Sequence, residues 1–173
     1  MAIDLGALAK GYIADRIIEH LKRVGVTAGL INLGGNVLTF GAASHNPDGL
    51  WRIGVQNPKL PRGNNVLVLK LGEESVVTSG VYERTFEYEG KTYHHIFDSQ
   101  TGYPVETDVA SITIISELSV DGEIWTTRLF GRPVREIYQE VVQQDGIEAI
   151  IITKEDQIIV TPGVVDKIDR GKS

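Results

Sequence analysis

Three pairs of apolar runs in this chain are joined by links of turn size: Gly34-Gly35, Glu89-Gly90 and Glu155-Asp156. A link that short cannot carry a crossover, so each pair of runs must fold back on itself as an antiparallel hairpin. The first pair is "AGLINLGGNVLTFGA", the second "ERTFEYEGKTYHHIFD" and the third "IEAIIITKEDQIIVTPGV". Further runs read as strands without a partner named by the sequence. "WRIGVQNP" alternates like a half-buried strand and stops at Pro58, "VLVLKL" and "SVVTSG" are short, and "VASITIIS" is a buried strand. The polar segment "KLPRGNN" reads as a loop.

Helical periodicity is confined to three places. From residue 7 to about residue 24, Ala14, Ile17, Ile18 and Leu21 recur at i, i+3, i+4 and i+7, with Gly25 placed as a C-cap. "GEIWTTRLFG" and "PVREIYQEVVQQD" are the other two, and the tail "DKIDRGKS" is expected to be frayed. The sum is an α+β fold: a single domain over residues 1–173, with a mostly antiparallel sheet and packed helices. Its 173 residues suffice for a real core.

Composition excludes some functions. A net charge of -6 argues against a nucleic-acid partner, which needs a basic surface. The absence of Cys removes disulfide and thiolate chemistry. No apolar run approaches bilayer-spanning length, and no charged-then-apolar leader is present.

Four segments could carry chemistry. In "DLGALAKGYIADR", residues 4–16, Gly6 and Gly11 flank Lys10 at a helix start, where free N–H groups and a cation suit a phosphate. Asp4 could cap that helix or accept from a ligand; the plainer reading is a capped helix with small residues for packing. "NLGGN" reads first as a hairpin turn, and its glycines would also let backbone approach a pyrophosphate. "TSG", residues 78–80, precedes "YHHIFDSQTGYPV", in which adjacent His94 and His95 must face opposite ways on a strand. One of the two would face a site together with Asp98, the other solvent or core. In "VDGEIWTTRLFG", a helix beginning near Gly122 would put Glu123 and Thr127 on one face as hard oxygen donors, suited to Mg²⁺ rather than zinc. The alternative is a capping Asp121 with a surface Glu.

The order of these segments resembles the ApbE family of flavin transferases, whose pattern is similar to "DLGGIAKGYAxD … NLGGN … TSGxYxR … HHIxDPxTGxP … DALST". The resemblance implies an ApbE-like, T-fold-like domain and an FAD:protein FMN transferase. Such an enzyme moves FMN from FAD to a Thr or Ser hydroxyl of an acceptor flavoprotein and releases AMP, with Mg²⁺. It implies FAD-contacting roles for Asp4, Lys10, Asn32, Gly34, Gly35, Thr78, Ser79, Gly80, His95 and Asp98, with His95 as a catalytic base or phosphate contact. It implies Mg²⁺ ligands at Ala7 (through its carbonyl), Glu123 and Thr127. Two departures stand out. Glu123 replaces the family Asp, one methylene longer, and Trp125 and Thr126 replace smaller residues. The resemblance further implies that the chain matches the C-terminal portion of a longer protein. That protein's N-terminal portion would carry a lipoprotein anchor and place it outside the cytoplasm. Two other readings stay open: a flavin-binding module without transfer, and an FAD pyrophosphatase releasing FMN and AMP. "DGEIWTT" also resembles an acceptor motif, but bulky Ile124 and Trp125 argue against self-modification.

Overall fold

The structure, a computed structural model, describes residues 2, 5–81, 85–88, 91–94, 97 and 101–171, with only the main chain at 85–88, 91, 92 and 94. Its centre is a sheet of six strands, all of them paired antiparallel. These are β1 (Gly29–Leu33), β2 (Asn36–Phe40), β5 (Ser75–Gly80), β8 (Val109–Ser116), β9 (Glu148–Thr153) and β10 (Ile158–Val160), in the order β1-β2-β5-β8-β9-β10. Two further hairpins stand apart, β3 (Trp51–Gln56) with β4 (Asn65–Leu71), and β6 (Thr85–Tyr88) with β7 (Lys91–His94). Among the described residues there are also four helices: α1 (Ala9–Arg23), α2 (Ser119–Leu129), α3 (Val134–Val141) and the single turn α4 (Pro162–Val165). The α+β class and the hairpin pairings agree with the sequence. The Glu89-Gly90 turn lies outside the described residues.

Both faces of the central sheet are covered, which explains the unbroken apolar run of β8. Ile112, Ile114, Ala149 and Ile151 pack against Leu129 of α2 and Ile137 and Val141 of α3. The alternate positions Ile115, Ile150 and Ile152 pack on the other face, against Ile53, Val55, Leu69 and Leu71 of the β3–β4 hairpin and Val164 of α4. Side chains alternate along a strand, so a strand between two apolar layers has no polar phase.

Helix α1 lies over β2, with Ala14 and Ile18 buried against Leu38 and Phe40. It begins two residues later than its periodicity suggests, because residues 6–8 form a turn. At its end Gly25, at φ 90°, closes the helix: Val26 N–H donates to Leu21 O at 3.0 Å and Gly25 N–H to Lys22 O at 3.2 Å. Ile17, expected in the core, is only half-buried, since the helix rolls Ala14 and Ile18 onto the sheet instead.

The tail is not frayed as far as Asp169. Ile168 bridges to Leu69, Lys70 N–H donates to Lys167 O at 2.7 Å, and Asp169 N–H donates to Val68 O at 2.8 Å. In "TPGV", expected to extend the last hairpin, Thr161 stays extended and Pro162 starts α4. The turn at Asp156 has φ 66°, and it is the one non-glycine positive φ among the described residues.

Arg52 of β3 fixes the tail from the side. Its guanidinium donates to Asp48 at 2.7 Å and to Asp169 at 2.8 Å. The Asp48 carboxyl is held below its ordinary range, chiefly by that hydrogen bond. A depressed carboxyl contributes stability above its unfolded pKa and loses it as pH falls through the folded value. Arg52→Gln should therefore raise the Asp48 pKa toward the ordinary value, read by NMR titration of its carboxyl carbon. In urea denaturation, Ile18→Ala should cost about 2–4 kcal/mol, and Ile17→Ala should cost distinctly less.

Candidate active site

The buried carboxylate of Glu123 organises the region where α1, β2 and α2 meet. Glu123 is 5 % exposed, although it carries a charge. Such a group costs several kcal/mol unless partners replace its water. Two are present: Asn36 Nδ2 donates to Glu123 Oε1, and Lys10 Nζ lies 3.5 Å from the same oxygen. Lys10 Nζ also donates to Asn36 Oδ1 at 3.4 Å. The carboxamide thus turns its oxygen to the cation and its nitrogen to the anion, the one orientation that suits both. Asn36 is 1 % exposed, whereas the Lys10 side chain is 45 % exposed and half in solvent. The surface-Glu alternative is overturned, and the first N–H groups of α2 are met by Asp15 and not by Asp121.

Local structure explains how these three side chains converge. The Gly34-Gly35 turn has φ 63° and φ 102°, the pair of positive values that a two-residue hairpin needs. It delivers Asn36 as the first residue of β2. Asn32 serves the same turn, accepting at its Oδ1 from Gly35 N–H at 2.9 Å. Gly122 lets α2 press onto β5: a Cβ there would lie 2.5 Å from the Val77 side chain. Gly11 does the same between the two helices, where a Cβ would lie 2.6 Å from Ser119 O.

The other expected residues are distributed unevenly around this cluster. Ala7 lies in the turn just before α1, three residues ahead of Lys10. Thr127 is exposed, one helical turn beyond Glu123, and its neighbour Thr126 is buried with its hydroxyl donating to Glu123 O at 3.2 Å. Thr78 is bonded to Thr113 at 2.8 Å and alternates with Val77, so it faces away from α2. Ser79 is half-buried and Gly80 buried at the end of β5. Asp4, His95 and Asp98 lie outside the described residues. Asn36, the last residue of "NLGGN", is the site residue that sequence reasoning left out; its motif position was the available signal.

Among the described residues no group of three or more His, Cys, Asp or Glu side chains could hold a metal. The donors expected for one are a carboxylate, a hydroxyl and a backbone carbonyl. These hard oxygens fit an ion such as Mg²⁺, which keeps several waters and takes its remaining ligands from phosphates. Lys10 already balances the Glu123 charge, so such an ion would share that carboxylate with the ammonium.

The family model of ApbE matches residues 1–151. The chain belongs to the ApbE family. It is 45% identical over 161 residues to the FAD:protein FMN transferase of Klebsiella pneumoniae (strain 342), covering 93% of this chain and 48% of that protein. It is 34% identical over 176 residues to the protein of the same name from Treponema pallidum, covering 97% and 48%. The crystal structure of the ApbE protein from Thermotoga maritima superposes with a TM-score of 0.83 at 31% identity, covering 93% of this chain and 52% of that one. The apo flavinyl transferase ApbE of Pseudomonas stutzeri gives 0.76 at 28% identity, covering 98% and 52%. The chain therefore spans about half the length of the curated relatives it matches. The α+β fold read from the sequence is that of these ApbE structures.

Asn36→Ala should destabilise the protein by about 1–3 kcal/mol, the cost of leaving a buried acceptor short of a donor. Asn36→Asp should cost more, because it sets a second carboxylate against Glu123. Chemical denaturation of both variants checks this order. Gly11→Ala should cost about 1–3 kcal/mol by forcing the α1–α2 contact apart.

Proposed function

We propose that this chain contributes the nucleotide-binding half of an FAD:protein FMN transferase, which moves FMN from FAD to a Thr or Ser hydroxyl of an acceptor flavoprotein and releases AMP. The observation that carries the reading is the Lys10–Asn36–Glu123 cluster, in a family whose members similar to this chain bear that activity in their names.

In this reading the acceptor oxygen forms a bond to the FMN phosphorus, and the bond from that phosphorus to the AMP oxygen breaks. The hydroxyl proton must leave to a base, for which His95 is the candidate. Lys10, with its side chain half in solvent, neutralises charge on the pyrophosphate oxygens. Asn36 holds Lys10 and Glu123 in fixed relation, so the site is preorganised rather than assembled on binding. Ala7, Glu123 and Thr127 would hold Mg²⁺, which when bound supplies charge neutralisation on the phosphates. Asp4, Asn32, Gly34, Gly35, Thr78, Ser79, Gly80 and Asp98 are assigned to FAD contact on the family pattern. The same pattern gives the whole protein a lipid anchor outside the cytoplasm. No helix among the described residues is long and apolar enough to cross a membrane.

One observation favours a second reading, a flavin-binding module without transfer: Glu123 already has two partners and can stand without a metal. Mass spectrometry of the protein incubated with FAD, Mg²⁺ and a peptide bearing the acceptor motif separates the two. Covalently flavinylated peptide is the expected product. Bound, unchanged FAD would select the binding module, and free FMN with AMP would mean that water is the acceptor. In FAD-loaded protein, Glu123→Asp should hold Mg²⁺ at least as tightly as the parent, and Glu123→Gln more weakly. Identical magnesium titrations of all three would remove Glu123 from the metal site.

A further inference from the structure

We propose that Asp15 is a positioning residue for this site: it caps α2 from α1 and so sets the approach of Glu123 to Lys10. The inference rests on the transferase reading for what the site does, but its geometry stands on its own.

Helix α2 begins without a cap of its own. Its cap position is Leu118, which has no side-chain acceptor, and no side-chain cap bond is made there. Its first two N–H groups are met instead from a distant part of the chain. Ser119 N–H donates to Asp15 Oδ1 at 2.7 Å and Val120 N–H to Asp15 Oδ2 at 3.0 Å. Both carboxylate oxygens are used, so the bond is bidentate and fixes direction as well as distance. A negative charge at a helix N-terminus also meets the positive end of the helix dipole. Burial pushes the Asp15 carboxyl up, the two N–H bonds pull it down, and Asp121 and Glu19 nearby push it up again. Asp15 is thus a half-buried acid among acids, an expensive place for a charge that had no task.

What the bond controls follows from where it sits. Asp15 and Lys10 belong to α1; Ser119, Val120 and Glu123 belong to α2. Glu123 is four residues beyond Ser119, roughly 6 Å along the helix axis. Between clasp and ion pair lies Gly11, whose missing Cβ lets Ser119 O approach α1. The far end of α2 is fixed separately, by Leu129 in the core. Among the described residues Asp15 is the side chain that ties the near end to α1, and loosening it would let Glu123 swing away from Lys10 while the fold stays anchored.

The test uses Asp15→Ala and Asp15→Asn, with Glu123→Gln as reference. Magnesium titration of the FAD-loaded protein should show Asp15→Ala weaker by about tenfold or more. Asp15→Asn, which keeps one acceptor oxygen, should fall between and also serves if the alanine variant folds poorly. FAD affinity without Mg²⁺ should change by less than about threefold, because Lys10 rides on α1 itself. Asp15→Ala combined with Glu123→Gln should bind Mg²⁺ no more weakly than Glu123→Gln alone, since one acts through the other. Hydrogen exchange at Ser119 and Val120 should quicken by about tenfold or more in Asp15→Ala, with the core of β8 unchanged. Parent-like magnesium binding in Asp15→Ala, or losses that add in full in the double variant, would overturn the proposal. If FAD-loaded parent protein shows no response to Mg²⁺, the transferase reading falls and exchange decides: quickened Ser119 and Val120 support the clasp, and unchanged exchange refutes it.

Discussion

A carboxylate removed from water must be given donors, and in this protein that requirement falls on Glu123. Its two partners come from two other elements, Asn36 from the start of β2 and Lys10 from the start of α1. Each element can supply its partner only if it is placed to within a hydrogen bond. The glycines that bring the elements so close therefore follow from the same constraint. Gly34 and Gly35 turn the chain so that Asn36 arrives at the head of β2, and Gly11 and Gly122 remove the Cβ atoms that would hold α2 off α1 and off β5. Stability and site geometry are here one problem, because the carboxylate at the centre of the cluster is also the costliest group to bury.

The rest of the fold serves as a rigid backing. The six-stranded sheet is packed on both faces, with α1, α2 and α3 on one side and the β3–β4 hairpin and α4 on the other. Close packing of this kind transmits displacement rather than absorbing it. The polar cluster sits beside that core, where α2 is pinned at Leu129 by apolar contact and at Ser119 by Asp15. Lys10, at the edge of the cluster, keeps part of its side chain in solvent while Glu123 stays buried.

Much of this was legible in the residues. Two-residue links gave the hairpins; the unbroken apolar run "VASITIIS" marked β8 as a buried strand; the apolar spacing of α1 was right to within two residues. The order of motifs identified the family. Less legible were Asn36, passed over as a turn residue, and Ile17, which sits at core spacing but half-buried. The tail looked too polar to dock, yet Lys167, Ile168 and Asp169 hold to β4 largely through their main chain. Main-chain bonds carry no side-chain signature, so a polar composition does not reveal them.

Sequence alone determined what is local and periodic: which runs are strands, where turns need a positive φ, which helix face is apolar, and which acids and cations are available. Those properties are set by bond geometry and by side-chain size within a few residues. The tertiary structure alone decided that Glu123 is buried and not a surface residue, that Asn36 lies between it and Lys10, and that α2 takes its cap from Asp15. Each of these joins residues 26 to 105 positions apart. A charge or a donor in a sequence is a demand without an address, and only packing in three dimensions assigns which distant group answers it.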